Sequence, residues 1–221
     1  MQLIRGPSDG QRPKVEAAIH PERLTRYLPA AGKDKAVAFD YYLWSCLLCE
    51  SFHLSLHFAE IVCRNGLHRG LAARCGEGWF LHVTFRKLLD PRFSGELDAA
   101  VAKESAQHGD RLTANHVVSA LTFGFWEHLT TKRFERFLWA KGIGNVFPDA
   151  PAAMRLADLH ALIESVRLWR NRIAHHRAIF DKGPMRKHQD ALGLIALVCR
   201  DTHAWVAAAS KVPAVPALRP K

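Results

Sequence analysis

The chain has 221 residues, which suits a single globular domain with a core large enough to need no disulfide or metal to hold it together. Hydrophobic residues make up 48% and charged residues 24%, ordinary values for a soluble folded protein. The formal charge of +10 indicates a polyanionic partner such as nucleic acid, with a merely basic surface as the plainer interpretation.

Several classes of protein are disfavoured at once. No uninterrupted apolar run reaches the roughly 18 residues that a membrane span needs, and residues 1–14 lack the apolar core of a secretory signal. We therefore expect a cytoplasmic protein with no membrane partner. The five cysteines are odd in number and irregularly spaced, which argues against a disulfide framework. Cys46 and Cys49 form a lone C-x-x-C without the second pair of a zinc site, so we expect no metal and no cofactor.

Helical periodicity runs through the chain, and strand alternation is absent except in scraps. We predict an all-α bundle: a flexible basic arm over 1–20, one helical domain over 21–210 and a frayed Pro-rich tail over 211–221. The helix that begins at Asp34 is so long that we expect a kink before Gly76. Asp90-Pro91 should stop the segment before it, and Thr113 should be the N-cap of the helix over 114–121. The predicted helices cover 21–28, 34–75, 95–108, 114–121, 152–178 and 188–209, with 79–89 ambiguous and with short helices and turns over 122–148.

The helix over residues 159–180 (LHALIESVRLWRNRIAHHRAIF) is the most informative segment. At 100° per residue its apolar positions form one core stripe. Glu164, Asn171 and His175 share the opposite face, because spacings of seven and four return to the same side. Arg170 sits between the faces. Arginine supplies forked donors for phosphate, and histidine transfers protons near neutral pH. A solvated surface is the plainer interpretation. The combination of Arg170, Asn171 and His175 is, however, also sufficient for cleaving RNA through the 2′-hydroxyl of the RNA, without metal.

A second polar stripe runs along the first long helix, whose other positions are mostly apolar and predict burial. Its members, spaced by three or four, are Glu50, His53, His57, Glu60, Arg64 and His68. Because buried charges need partners, one interpretation has Glu60 pairing with Arg170 or Arg64 and bracing the site helix. In another, the four residues from Glu50 to Glu60 bind a metal, although Glu50-x-x-His53 has no second such pair. Plain surface polarity is the third interpretation, and bracing is favoured.

The sequence resembles a known family at these same motifs. The segment RNRIAHH fits the R-x4-H signature of HEPN nucleases, with Arg170 and His175 at its ends and Asn171 second. The longer string LWRNRIAHHRAIF resembles Abi-like proteins, the branch named for abortive phage infection. The likeness covers most of residues 22–206 and departs from the family pattern at Ser45, where asparagine is expected. Its other segments, in order, are DYYLWSCLLCESFHLSLHFAEIVCRNGL (with Glu60, Arg64 and Asn65), TFGFWEHL, RFERFLW and DTHAWV.

The resemblance implies a HEPN helical bundle that forms a homodimer, in which two R-x4-H motifs share one cleft and cut RNA without metal. It implies His175 as the acid/base, Arg170 as the phosphate clamp and Asn171 as a positioning residue. His176 either makes a structural hydrogen bond or substitutes in part for His175. The other candidate supporting residues are Glu60, Arg64 and Asn65 from the family element and Glu164 from the polar face of the site helix.

The expected function is therefore an endoribonuclease of the toxin or phage-defence type. Its partner is RNA, and a protein or small-RNA antitoxin fits such a role. A non-catalytic RNA-binding module and a metal-dependent bundle oxidoreductase are the alternatives.

Overall fold

A computed structural model describes residues 5–220. The predicted all-α class is confirmed, since no strand occurs in that range. The α-helices are α1 (Arg12–Ile19), α2 (Glu22–Thr25), α3 (Lys35–Ser51), α4 (His53–Cys75), α5 (Val83–Lys87), α6 (Pro91–His108), α7 (Ala114–Ala120), α8 (Phe123–His128), α9 (Leu156–Ala174), α10 (Pro184–Val198) and α11 (Arg200–Ala209). Short 3-10 helices lie at Trp79–Leu81, Gly109–Arg111, Lys132–Phe134, Ile143–Asn145 and Val212–Leu218.

Helix α4 is the central element of the bundle. It packs along α10 and also contacts α7, α8, α9 and α11. Its side chains Cys63, Leu67 and Leu71 are completely buried, as expected for a helix surrounded by others. Helix α9 contacts α4, α8 and α10. The two helices that carry the predicted polar stripes are therefore neighbours.

The kink expected in the long first helix is confirmed at Phe52, which separates α3 from α4. Phe52 is completely buried, and its N–H donates to the carbonyl of Cys49 at 3.3 Å, the spacing of a tighter turn. The predicted start is also confirmed, because the Asp34 carboxylate accepts from the N–H of Ala36 at 2.7 Å. Gly76 ends α4 with a positive φ of 81°, which glycine adopts without strain.

Both terminal predictions need correction. The expected flexible arm contains α1, and Glu16 of that helix pairs with Lys35 at 2.8 Å. The expected frayed tail contains a 3-10 helix that packs on α3. It buries Val212 and Val215, and the indole of Trp44 donates to the carbonyl of Val215 at 2.9 Å. Residues 1–4 and 221 of the two predicted segments lie outside the described range.

Three helix boundaries also differ from the prediction. The predicted stop at Asp90-Pro91 is confirmed, since α5 ends at Lys87. Helix α6, however, begins at Pro91 and not near Gly95, because proline fits the first turn of a helix and Asp90 caps that turn by accepting from the N–H of Arg92. The last predicted helix is two helices, since Cys199 is extended (φ −161°) and separates α10 from α11. Helix α9 ends at Ala174, four residues before its predicted end.

One stretch of the chain, Lys35–Cys75, passes a composition test for crossing a membrane, with a window of mean hydropathy 1.3 of which 33% is buried. The absence of a long uninterrupted apolar run did not predict this result, because a window average tolerates scattered polar residues. The stretch is broken at Phe52, and α4 carries Glu60 and Arg64 on one side. A packed core helix has the same composition, and the cytoplasmic location stays a prediction.

Candidate active site

A cavity of about 770 Å³ lies between the α3–α4 pair and the C-terminal end of α9. We call it the site cavity. Both polar patterns contribute side chains to it, which brings the two predicted stripes together in one place. Its polar lining consists of Cys49, Glu50, His53, His57, Glu60, Arg64, Arg170 and His176. His68, the last member of the α4 stripe, instead accepts a hydrogen bond from the indole of Trp79 at 3.0 Å.

Glu60 and Arg170 join the two helices. The Nε of Arg170 lies 3.2 Å from Oε2 of Glu60, which confirms the predicted pairing of Glu60 with the site helix. The side chain of Arg170 is 46% exposed, so water screens the pair and its net contribution to stability is at most about 1 kcal/mol. Its main consequence is positional, since Glu60 holds the guanidinium at the mouth of the cavity. Nη1 of Arg170 also approaches Oδ1 of Asn171 at 3.4 Å.

Arg64 adds a second guanidinium to the site cavity. Its Nε is buried and has no hydrogen-bond partner among the described residues. Arg64 nevertheless lines the cavity and contributes a permanent positive charge to it. Two arginines therefore border a space that only Glu50 and Glu60 supply with negative charge.

The end of α9 determines which histidine faces the cavity. The N–H of His176 donates to the carbonyl of Ile173 at 2.9 Å, and the N–H of Arg177 donates to that of Arg172 at 3.0 Å. These two bonds form a Schellman motif with His176 at the position where glycine is usual. His176 accordingly has a positive φ of 53°, which costs a residue with a Cβ about 1–2 kcal/mol. The turn places His176 in the lining of the site cavity.

His175 and Asn171 do not line this cavity. His175 is the C-cap of α9 and is exposed, and its N–H donates to the carbonyl of Asn171 at 2.9 Å. Glu164 is exposed earlier on α9, and Asn65 is half-buried on α4 outside the cavity. The structure thus gathers Glu60, Arg64, Arg170 and His176 and leaves the other predicted residues on adjoining surfaces.

The metal interpretation of the α4 stripe finds no geometric support. The rings of His53 and His57 stack at 5.9 Å, but within residues 5–220 no group of three or more metal-ligating side chains is arranged to hold an ion. Burial raises the pKa of Cys49 to about 11, so this thiol stays protonated at neutral pH and is a poor nucleophile.

Sequence reasoning missed Arg23, whose Nη1 donates to the carbonyl of His176 at 3.0 Å. Arg23 precedes His176 by 153 positions, and no local pattern marks such a contact.

No protein-family model, no curated protein and no solved structure matches this chain. The resemblance to Abi-like HEPN proteins therefore remains an expectation drawn from its motifs.

Proposed function

We propose that this protein is a metal-independent endoribonuclease of HEPN type that cleaves RNA through the substrate's own 2′-hydroxyl. The observation that carries the proposal is the site cavity, in which Arg64 and Arg170 are positioned beside His176. This arrangement offers a charged clamp for a phosphodiester and a titratable group next to it. The overall charge of +10 supports the same class of ligand.

The chemistry needs two proton transfers. A base removes the proton of the 2′-hydroxyl while its oxygen attacks phosphorus, and an acid protonates the departing 5′-oxygen. The products are a 2′,3′-cyclic phosphate and a 5′-hydroxyl. Arg170 and Arg64 bind the phosphate oxygens, on which charge develops in the transition state. One histidine of the adjacent pair moves the proton: the family resemblance implies His175, and the cavity geometry favours His176.

A homodimer supplies the second proton-transfer group. Asn171 and His175 do not line the site cavity, and their side of α9 also carries Leu168, an apolar side chain that is 52% exposed. Leu168 is three residues before Asn171 and seven before His175, so the three share one side of α9. An exposed leucine between polar site residues supports pairing of this face with its copy across a two-fold axis.

The decisive experiment incubates the purified protein with total RNA in chelator and maps the ends of the products. We expect 2′,3′-cyclic phosphate ends, and we expect a 2′-deoxy substitution at the cut position to block cleavage. Arg170→Ala should weaken both binding and cleavage. His203→Ala, a substitution on α11 outside the site cavity, is the matched control and should leave cleavage unchanged.

The same assay assigns the proton-transfer group. His175→Ala and His176→Ala should each retain RNA binding, because most affinity comes from the basic surface. Loss of cleavage in only one variant identifies the group, and full cleavage by both would overturn the proposal. In cells, overexpression of the inactive variant should be less toxic than overexpression of the wild type. The toxicity is proposed to come from RNA cleavage, which a protein or small-RNA antitoxin would inhibit.

A non-catalytic RNA-binding module is the second candidate. The positive charges of Arg64 and Arg170 in the lining of the site cavity support anion binding by themselves, and binding needs no turnover. RNA binding that depends on Arg64 and Arg170, with no cleavage under any condition tested, would establish this alternative.

A further inference from the structure

A second cavity of about 480 Å³ adjoins the site cavity. We call it the flank cavity. It lies among α1, α2, α3 and the end of α9, and it shares Cys49, Ile173 and His176 with the site cavity as a common wall. Its volume falls within the range of about 300–1,000 Å³ that is usual for small-molecule sites. A ligand centred on the phosphate clamp therefore lies next to a second cavity that borders the same His176.

The flank cavity is positively charged. Arg23 and Arg177 both line it, and no acidic residue does. Across residues 5–220 neither arginine makes an ion pair, although Arg23 donates to the carbonyl of His176. Both side chains belong to exposed residues, so their donors remain accessible to a second phosphate group.

One wall of the flank cavity is aromatic. Tyr42 is half-buried there and packs edge-to-face on Tyr27, with ring centroids 5.3 Å apart. Tyr27 is itself stacked on Phe180 at 5.2 Å. Burial raises the pKa of Tyr27 to about 12, so this supporting ring is neutral at physiological pH. The rings behind Tyr42 hold it in place, which preorganises it as a surface for a planar ligand.

We propose that the flank cavity binds the nucleotide next to the cleaved phosphate, with its base against Tyr42 and its outer phosphate at Arg23 and Arg177. This inference rests on the proposed function, because the site cavity must hold the scissile phosphate. The two cavities then recognise a single-stranded dinucleotide step, since a base in a duplex is stacked on its neighbours and is not free to enter. Aromatic stacking is tolerant of sequence, so we expect little preference among the four bases.

The test measures binding without cleavage, by calorimetry in chelator, with three 2′-O-methyl probes. The first probe is a dinucleotide with a phosphate at each nucleotide. The second is an abasic analogue that lacks the base proposed to lie against Tyr42, and the third lacks the outer phosphate. Base stacking on an aromatic side chain contributes about 1–3 kcal/mol, so the wild type should bind the base-bearing probe roughly tenfold more tightly than the abasic one.

Two substitutions separate the contributions. Tyr42→Ala should bind the base-bearing and abasic probes equally, whereas Tyr42→Phe should retain the difference. Arg177→Gln, at an exposed position, should weaken the full dinucleotide but not the probe without the outer phosphate. Leu43→Ala truncates the next residue of α3 outside both cavities, and Arg136→Gln removes an exposed arginine elsewhere; both should bind like the wild type.

The outcomes distinguish this inference from the proposed function. If Tyr42→Ala still prefers the base-bearing probe and Arg177→Gln binds the full probe like the wild type, the flank cavity does not bind the nucleotide. That result would leave the proposed RNA cleavage untouched. A base preference that Tyr42→Ala removes, in a protein that cleaves no RNA, would overturn the nuclease and support a nucleotide-binding site in the flank cavity.

Discussion

At the scale of single residues, the left-handed conformation of His176 links stability to the site. Its φ of 53° closes the Schellman motif at the end of α9. Glycine adopts this conformation without steric cost, so His176→Gly should raise the free energy of unfolding by about 1 kcal/mol. The same change removes a side chain from the site cavity, so it should lower RNA cleavage while RNA binding is retained.

Urea unfolding measures the stability difference. His175→Gly is the matched control, because His175 has a φ of −90° and gains no relief from glycine. A His176→Gly protein less stable than the wild type would show that the imidazole makes a stabilising contact that outweighs the backbone strain.

His188 should make the stability of the protein depend on pH. It is 3% exposed, its Nδ1 has no partner among the described residues, and its ring lies edge-on to Phe52. Burial lowers the pKa of His188, and burial also lowers the pKa of His68 and His128. When the pKa of a histidine is lower in the folded than in the unfolded protein, protonation favours the unfolded state. The protein is therefore most stable above about pH 6.5, the pKa of histidine in the unfolded chain, and loses stability as the pH falls below that value.

We therefore expect the free energy of unfolding to fall as the pH drops below about 6.5, the unfolded pKa of histidine. His188→Gln should make that fall less steep. Urea titrations at several pH values measure it, and identical slopes in the two proteins would contradict a buried neutral His188.

At the scale of elements, the approach of α4 to the loop before α9 depends on Gly70. A Cβ at Gly70 would lie 2.8 Å from Cγ2 of Val146 and 3.3 Å from Cδ1 of Leu138. Glycine normally weakens a helix, but here it permits close packing. Gly70→Ala should destabilise the protein by about 1–3 kcal/mol through overpacking, partly offset by the better helix propensity of alanine.

Gly193 is the matched control for this prediction. It lies within α10, and a Cβ there meets nothing within 4 Å. Gly193→Ala should therefore gain about 0.5–1 kcal/mol from helix propensity alone. Equal effects of the two substitutions in thermal unfolding would show that the contact between Gly70 and Val146 is loose.

At the scale of the whole molecule, the proposed homodimer predicts a specific role for Leu168. Leu168→Glu places a charge on the α9 face that would meet its own copy, and burying like charges is unfavourable. We expect a monomer by light scattering and loss of RNA cleavage. Val83→Glu, at a position 65% exposed on α5, is the control and should leave the oligomeric state unchanged. A Leu168→Glu dimer with full activity would place the interface elsewhere.

The net charge predicts how RNA affinity responds to salt. With +10 on the chain, binding should weaken steeply as salt rises, because phosphate contacts release counterions. Arg170→Gln should reduce the slope of log affinity against log salt by about 0.7, the value for one contact to a single strand. An affinity independent of salt would exclude a mainly electrostatic interface with RNA.

The all-α class, an interruption somewhere in the first long helix and a partner for Glu60 in Arg170 or Arg64 were predictable from the sequence. These features follow from local patterns, since helical periodicity and spacings of three or four residues specify which side chains share a face. Glu60 was expected to pair with Arg170 or Arg64 because it is a charge on a mostly apolar helix and such charges need partners, and the structure shows the pair with Arg170. The roles of Arg170, Asn171 and His175 in catalysis stay predictions.

The folded structure was needed to find which histidine lines the site cavity and to find that both terminal segments contain helices. Helix α9 lacks a glycine at its end, so its periodicity suggested a continuation that the Schellman turn at His176 interrupts. Residues 211–220 have a composition typical of a frayed tail, yet Val212 and Val215 find an apolar surface on α3. Arg23 reaches His176 across 153 positions. For the tail and for Arg23 the deciding partner is distant in the chain, and local sequence carries no signal of distant partners. The turn at His176 is closed by local bonds to Ile173 and Arg172, but no glycine marks it in the sequence.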